Sequence, residues 1–200
     1  GEFVSGNYFR TFGLQPQAGR LLTDADDVVG APAVAVMSYE TWQNNYAGEP
    51  SVVGSTFWVN TRPVTVVGIA PEGFYGDRLS STPPEFYLPI ETMPALANAQ
   101  YAHNPEDRWL YIVGRVKPGT AWAPLEQKLS AVLRQIFASS KQFSSAHDKP
   151  LLAKTHVVLT SGGGGIQAMR DGYASKLKLL MWISGLVLLI ACAKDRKSVV

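Results

Sequence analysis

Apolar and polar positions follow two different periods along the chain. Three stretches are rich in β-branched or aromatic residues: Ala33 to Met37, Ser55 to Asn60 and Pro63 to Ile69. The last two, joined by Asn60-Thr61-Arg62, predict a β-hairpin. Further on, apolar residues spaced by three and four predict a helix from about 122 to 140 with one apolar face, formed by Trp122, Leu125, Leu129, Val132, Leu133, Ile136 and Phe137.

Further strands and helices complete the prediction of an α+β fold. We predict strands over Trp109 to Val116 and Thr155 to Thr160 from their β-rich composition. Ser5 to Gly13 is predicted to form a short helix in which Ser5 caps the start and Gly13 takes the left-handed position at the end. A second helix, capped by Ser38, is predicted to reach about Ala47, with Gly48 closing it.

Residues 71 to 107 are irregular in pattern and interrupted by prolines. Proline has no backbone donor and a fixed φ, which excludes long helices and central strands from most of this segment. A short piece near Glu85 to Leu88 is the exception and is predicted to be extended. Within the segment these prolines are Pro83, Pro84, Pro89, Pro94 and Pro105, after Pro71 at its start.

The stretch from Leu177 to Ala193 is apolar on all sides except for Lys178 and a few small residues. A helix of this kind has no face that prefers water, and a membrane span needs about 20 such residues. We interpret it as the first part of a transmembrane helix that begins near Gln167 to Tyr173. The alternative is a helix buried in a protein core.

Both ends of the sequence indicate a fragment. Gly1 opens the chain without an initiator Met or a signal peptide. The tail from Lys194 to Val200 back-translates to a string that resembles sequencing-adapter read-through, so residues 194–200 are expected to be non-native and Ala193 the last native residue. We therefore expect sequence to be missing on both sides.

The composition and charge favour a folded protein and argue against nucleic-acid binding. Hydrophobic residues make up 46% of the chain and aromatic residues 10%, which indicates a packed fold. The net charge of +2 and the absence of a basic cluster interleaved with aromatic residues before the tail argue against nucleic-acid binding. Cys192, the single cysteine, can form no disulfide within the chain.

The sequence predicts no catalytic residue, no cofactor site and no metal site, and hence no enzyme. Ser161 to Gly165 lacks the Lys-Ser/Thr pair of a phosphate loop and is interpreted as a hinge. Ser38 has no Gly-x-Ser-x-Gly context and is interpreted as a helix cap. No metal-ligand spacing connects the histidines, which are His103, His147 and His156.

Two other groups of residues are interpreted as structural. An acidic turn is formed by Asp24, Asp26 and Asp27, where aspartate is favoured for local hydrogen bonding. The tryptophans occupy apolar positions of predicted elements and are expected in the core rather than on a stacking platform. These are Trp42, Trp58, Trp109 and Trp122, the four that precede the apolar run at the end of the chain.

A series of short motifs runs in order along the chain and resembles the MacB-like periplasmic core domain, the extracytoplasmic domain of MacB/FtsX-type ABC transporter permeases. The motifs are Val4-Ser5-Gly6-Asn7-Tyr8-Phe9 with Gly13 and Gly19-Arg20, Val34-Ala35-Val36-Met37-Ser38-Tyr39 with Trp42, Pro50-Ser51-Val52-Val53-Gly54, Val66-Val67-Gly68-Ile69-Ala70-Pro71 with Gly73-Phe74, Val113-Gly114-Arg115-Val116-Lys117-Pro118-Gly119, and Leu186 to Ala193. Two positions depart from the family pattern: Lys194 stands for the usual Asn, and Ala121 stands for the usual Ser at the start of the long helix.

The resemblance implies a two-lobed extracytoplasmic domain over residues 1–165. One lobe, about Leu14 to Pro105, would be inserted into the other, whose second half would be Arg108 to Thr160. Residues 166–193 would be a linker and a truncated transmembrane helix. If partner strands precede Gly1, the long helix should expose apolar residues near Leu129, Leu133 and Ile136, and the inserted lobe should be the better packed of the two.

The resemblance further implies a permease subunit that forms a dimer in the bacterial inner membrane and works with a separate cytoplasmic ATPase. Such a subunit would couple ATP-driven movement of membrane helices to export of an unknown substrate. A membrane-anchored extracytoplasmic binding module without a transport role is the alternative. A periplasmic enzyme with a C-terminal anchor is a third reading, disfavoured by the lack of a catalytic constellation.

Overall fold

A mixed β-sheet of six strands forms the centre of the larger of two units. The computed structural model describes residues 1–78, 80, 82–104, 107, 109–140, 149–162 and 178–187. The larger unit comprises Gly1–Gly76 and Thr82–Ser161, and the smaller one Asp77–Ser81 and Gly162–Val200. The strands are β1 (Glu2–Val4), β2 (Ala18–Gly19), β3 (Val34–Met37), β4 (Thr56–Val59), β5 (Arg62–Ile69) and β6 (Phe86–Pro89).

The strand order is β1-β6-β3-β5-β2, with β4 also paired to β5. The pairs β1–β6 and β3–β5 are parallel, and the other pairs are antiparallel. The described residues also form five α-helices in the larger unit: α1 (Tyr8–Phe12), α2 (Tyr39–Tyr46), α3 (Met93–Ala97), α4 (Trp122–Ala138) and α5 (Lys149–Lys154). In the smaller unit, residues 178–187 are helical.

The hydrophobic core lies around the inner strands. Among the described residues, every buried apolar side chain lies between Val4 and Ala99. Central strand residues such as Val36, Val66 and Tyr87 are 0% exposed. Most of these side chains lie in the predicted inserted lobe, Leu14 to Pro105, and none lies within the described residues from 109 to 160, as expected if that lobe is the better packed; the lobe boundaries themselves stay predictions.

The predicted hairpin is confirmed as β4 and β5. Val59 is the partner of Arg62, so Asn60 and Thr61 form a two-residue turn. Both turn residues have positive φ, 47° and 68°, as a type I′ turn requires. The predicted strand before α2 is also confirmed, as is the cap, where Ser38 Oγ accepts a hydrogen bond from Thr41 N at 3.2 Å.

The first helix is shorter than predicted. It begins at Tyr8, and Ser5 does not cap it: the Ser5 hydroxyl donates to Asn7 Oδ1 instead. The predicted end is confirmed, because Gly13 has a φ of 72° and its N–H reaches the carbonyls of Arg10 and Phe9. Asn7 holds the N-cap position, and Ser5 accepts a hydrogen bond from Tyr8 N through its backbone carbonyl, at 2.9 Å, rather than through its hydroxyl.

The proline-rich segment, residues 71–107, contains the short extended piece that was predicted near Glu85 to Leu88. It is β6, one residue later than predicted, and it lies between β1 and β3. Pro89 stands at its last position, where a missing backbone donor disrupts the ladder least. The one α-helix described in this segment, α3, has five residues and carries Pro94 in its first turn, which is compatible with proline.

Two predicted strands are wrong. Neither Trp109 to Val116 nor Thr155 to Thr160 has strand structure. A β-rich composition becomes a strand only when a neighbouring strand supplies the hydrogen bonds, and no strand described in the sheet pairs with either segment. The second segment has other partners, which are given below.

The long helix is confirmed over nearly its predicted length and exposes apolar residues as expected. Leu129 is 38% exposed and Ile136 is 58% exposed, whereas Val66 in the sheet is 0% exposed. Leu133 is half-buried. One face of α4 is thus only partly covered by the described residues.

The smaller unit is helical over residues 178–187. Seven large apolar side chains of this helix are 52–79% exposed, Trp182 most of all. No helix within the described ranges is both long and apolar enough to cross a membrane. The predicted helix start near Gln167, its end at Ala193 and the tail 194–200 lie outside the described residues, so the transmembrane helix stays a prediction.

Candidate interaction surface

Three polar side chains of α4 bind the backbone of an extended segment. Glu126 Oε1 accepts a hydrogen bond from Leu159 N at 2.8 Å, and Ser130 Oγ accepts one from Val157 N at 2.9 Å. The Arg134 guanidinium donates to Thr155 O at 3.2 Å. Because these side chains are spaced by four, they share one helix face.

The segment 155–159 therefore runs antiparallel to α4 and bonds to it at every second residue. Thr155, Val157 and Leu159 are half-buried, whereas His156 and Val158 between them are exposed. This alternation is what the sequence pattern detected when it predicted a strand. The backbone partners are helix side chains rather than another strand, which explains why the segment is not part of a sheet.

Arg115 connects the segment after the sheet to α1. Its Nε and Nη2 atoms donate to the Thr11 carbonyl at 3.0 and 2.9 Å. Carbonyls in the last turn of a helix have no partner within the helix, so the guanidinium fills a vacant position. Gly13 leaves room for it, since a Cβ there would lie 3.0 Å from Arg115 Nη2. We refer to this contact between Arg115 and Thr11 as the α1 joint.

The second half of the larger unit exposes an unusual number of large apolar side chains. Ile112 is 95% exposed, and Leu129, Val132 and Ile136 form a partly exposed stripe on α4. Continuous apolar stripes on a protein surface mark contact sites more often than isolated residues do. The full set is Leu110, Tyr111, Ile112, Val113, Val116, Trp122, Leu129, Val132, Ile136, Leu151 and Val158.

The acidic turn forms separate structural contacts. The Asp26 carboxylate binds the Arg20 guanidinium at 2.7 and 2.8 Å and accepts two hydrogen bonds from Thr23. The Arg20 hydrogen bond is the main reason that the pKa of Asp26 is lowered from 3.8 to about 2, against the opposing effect of burial. Asp24 pairs with Arg10 on the surface.

Asp27 joins two distant loops. Its carboxylate accepts hydrogen bonds from Gly6 N and Glu91 N, both at 2.9 Å. The three aspartates thus have different partners and do not converge. In the part of the chain that the structure describes, no group of three or more His, Cys, Asp or Glu side chains could hold a metal ion.

The low pKa of Asp26 predicts a pH-dependent stability. A carboxyl whose pKa is lower in the folded than in the unfolded protein stabilises the fold above its unfolded pKa, and this stabilisation is lost as the pH falls. We expect about 1–2 kcal/mol to be lost between about pH 5 and pH 2, a figure reduced because Arg20 is partly exposed. Urea unfolding of wild type and Asp26→Asn at pH 7 and pH 3 measures this loss.

The matched control for this prediction is Asp24→Asn, which removes an exposed ion pair of the same turn. We expect it to leave both the stability and its pH dependence close to wild type. The Asp26→Asn protein should be less stable at pH 7 and should lose less on acidification. An identical pH dependence in wild type and Asp26→Asn would contradict the role given to Asp26.

The histidines lie apart in the described structure. His103 Nε2 is 3.7 Å from Glu91 Oε2, and His156 Nδ1 is 3.0 Å from Lys154 O. His147 lies outside the described residues, as do Cys192 and residues 163–165 of the glycine-rich stretch.

The expectation that the tryptophans are core residues is only partly correct. Trp42 is 8% exposed and donates to Glu49 O at 2.9 Å, and Trp109 is half-buried against Tyr101. Trp58 and Trp122, however, are 73% and 48% exposed. Trp58 points away from the core because β4 alternates between an exposed and a half-buried face, and Trp122 stands in the exposed first turn of α4.

Sequence reasoning proposed no residue for the α1 joint or for the polar face of α4. The spacing of Glu126, Ser130 and Arg134 by four was a usable signal for the latter. The pairing of Arg115 with Thr11 spans 104 residues, and no local pattern reports such a contact. Both residues do lie within or beside motifs of the family resemblance.

Two solved structures are similar to this chain. One is the periplasmic region of MacB from Actinobacillus actinomycetemcomitans, 21% identical over 67% of this chain and 55% of that one, with a TM-score of 0.46. The other is the extracellular domain of the ABC-type transporter YknZ from Gram-positive bacteria, 24% identical over 48% of this chain and 46% of that one, with a TM-score of 0.38. The chain thus spans about half the length of each.

No curated protein matches the chain. The profile of one family does, that of the MacB-like periplasmic core domain, over residues 1–132. The match begins at β1, includes the whole sheet and the α1 joint, and ends within α4. Since it covers well over half of the 200 residues, the chain belongs to the MacB-like periplasmic core domain family.

Proposed function

We propose that this chain is the extracytoplasmic part of an ABC transporter permease subunit, and that it is not an enzyme. The observation that carries the proposal is the family match over residues 1–132, which includes the sheet and both residues of the α1 joint. In this role the domain binds and moves; it does no chemistry of its own. Its partners would be a separate cytoplasmic ATPase and a second permease copy.

A membrane anchor is the second part of the proposal. Residues 178–187 are helical and expose Leu179, Met181 and Trp182 by 63%, 75% and 79%. If these side chains stayed in water, the protein would lose about 25 cal/mol of hydrophobic free energy for each Å² of apolar surface left unburied. We propose that the helix continues toward Ala193 and enters the bacterial inner membrane, with residues 1–165 on the extracytoplasmic side.

Coupling between membrane and domain is the third part. A close-packed body transmits displacement, whereas a loose one absorbs it. The sheet and its buried strands supply such a body, and the α1 joint connects it to the chain that follows. We propose that movement of the membrane helices reaches the sheet through the segment containing Arg115 and then through α1, in support of export of a substrate of unknown class.

Expression of the complete reading frame in its native host tests the proposal. We expect further apolar helices before and after this domain, recovery of the protein in the membrane fraction, and copurification of an ATP-hydrolysing subunit. A reading frame without further helices, whose product copurifies with no ATPase, would favour the alternative of a membrane-anchored binding module.

Arg115→Gln tests coupling through the α1 joint. The contact is exposed, so we expect the substitution to reduce the free energy of unfolding by less than about 1 kcal/mol. In the complete permease with its ATPase, ATP should change amide hydrogen exchange across Tyr8–Phe12 in wild type and leave it unchanged in Arg115→Gln.

Arg134→Gln is the matched control for that experiment. It also removes a guanidinium that donates to a backbone carbonyl, but at the far end of α4 rather than at α1. We expect the ATP-dependent exchange of α1 to persist in this variant. If α1 responds to ATP equally in Arg115→Gln and in wild type, the coupling does not pass through Arg115.

A further inference from the structure

A cleft of about 300 Å³ opens on the larger unit. Its walls are the loop before β3, the first residues of β5, and α3 with the segment that leads into it. Asn60 Nδ2 donates to Leu96 O at 2.8 Å and holds the hairpin against α3. The volume stands at the lower end of the range for small-molecule pockets, about 300–1,000 Å³, so an occupant must be small.

The larger apolar residues that line the cleft are Val28, Pro63 and Leu96, beside the alanines Ala31, Ala33 and Ala95. Leu96 is 2% exposed and forms part of the protein core, whereas Val28 is 51% exposed. The cleft therefore has a fixed apolar floor and an accessible apolar edge. This combination suits a compact aliphatic group better than a polar one.

Glu91 supplies a negative charge to the cleft. Its position is fixed, because its backbone N–H donates to Asp27 Oδ1 at 2.9 Å. Its Oε2 atom is buried and accepts no hydrogen bond within the described structure, with His103 Nε2 3.7 Å away. The side chain as a whole is 27% exposed, so a ligand ammonium group in the cleft would contact its accessible part.

Arg62 supplies a positive charge to the same cleft. It is the first residue of β5 and is exposed, and its guanidinium forms no ion pair or hydrogen bond within the described structure. A guanidinium binds a carboxylate through two parallel hydrogen bonds. The cleft thus combines an anion, a cation and an apolar floor.

We propose that this cleft binds a small zwitterion with an aliphatic side chain, such as an α-amino acid. The ligand ammonium group binds Glu91, its carboxylate binds Arg62, and its side chain packs between Val28, Pro63 and Leu96. This binding does not depend on whether the domain serves a transporter.

Calorimetric titration of the full chain with L-leucine tests the proposal. Two analogues each lack one charge: N-acetyl-L-leucine has no ammonium group, and L-leucinamide has no carboxylate. We expect L-leucine to bind and each analogue to bind at least about tenfold more weakly, because each loses one charge-assisted contact. These comparisons use the wild-type protein and do not depend on the folding of any variant.

Variants of the cleft give the second test. Glu91→Gln and Arg62→Gln should each weaken L-leucine binding at least about tenfold, whereas Glu49→Gln and Arg10→Gln, exposed residues that do not line the cleft, should leave it unchanged. The proposal is overturned if L-leucine does not bind at concentrations up to about 10 mM. It is equally overturned if the two analogues bind wild type as tightly as L-leucine does. The same holds if L-leucine binds all four variants as tightly as it binds wild type.

Discussion

Gly68→Ala is expected to reduce the free energy of unfolding by about 3–5 kcal/mol, at the upper end of single-substitution effects. A Cβ at Gly68 would lie 2.1 Å from Arg20 O and 2.7 Å from Arg20 N. Both are backbone atoms, so no side-chain rotation can relieve the contact. Strand β2 would have to move away from β5, which would break the bonds from Arg20 N to Val67 O and from Gln17 N to Ile69 O.

Urea unfolding monitored by circular dichroism measures this effect, with Gly114→Ala as the control. A Cβ at Gly114 would meet no atom within 4 Å, and its φ is not positive. We expect this second variant to unfold within about 0.5 kcal/mol of wild type. A Gly68→Ala protein as stable as the Gly114→Ala protein would mean that β2 does not approach β5 as closely as the structure has it.

The elements that the sequence predicted well are those determined by nearby residues. The β4–β5 hairpin follows from alternation and a two-residue turn, α4 from its apolar periodicity, and the start of α2 from the Ser38 hydroxyl. In each case the partners stand within a few residues along the chain. Local free energies therefore decided the structure, and a local pattern was enough to recognise it.

The errors arise where the partner is distant in sequence. Residues 109–116 have strand composition, yet no described strand pairs with them. The segment 155–159 has strand alternation, yet its partners are side chains of Glu126, Ser130 and Arg134. Composition reports that a segment suits an extended conformation, and it does not report what supplies the hydrogen bonds.

The order of the strands in the sheet could likewise not be predicted from the sequence pattern. Strand β6 lies between β1 and β3, although its segment is rich in prolines. This placement brings Tyr87 beside Phe9 and Phe74, with ring centroids 5.3 and 5.7 Å from its own. The aromatic cluster that supports α1 thus combines residues from three separate parts of the chain, and the α1 joint is attached to it.

Phe9→Ala is therefore expected to affect both stability and the α1 joint. The Phe9 ring is 1% exposed and has centroid distances of 5.3, 5.9 and 5.3 Å to Tyr8, Phe74 and Tyr87. Removing a buried phenyl ring costs about 3–5 kcal/mol through lost transfer free energy and the cavity left behind. Chemical unfolding should detect this loss directly.

Comparison of Phe9→Ala with Phe9→Leu separates the effect of packing from that of the Arg115–Thr11 contact. Phe9→Leu keeps most of the volume and should cost about 1.5 kcal/mol or less, so the two variants differ mainly in the cavity beneath α1. If that packing holds the Thr11 carbonyl in front of Arg115, amide exchange across Tyr8–Phe12 should be faster in Phe9→Ala than in Phe9→Leu. Each variant is measured at a urea concentration equally far below its own unfolding midpoint. Equal exchange rates in the two variants would mean that Arg115 alone positions α1, and that the aromatic cluster contributes only to global stability.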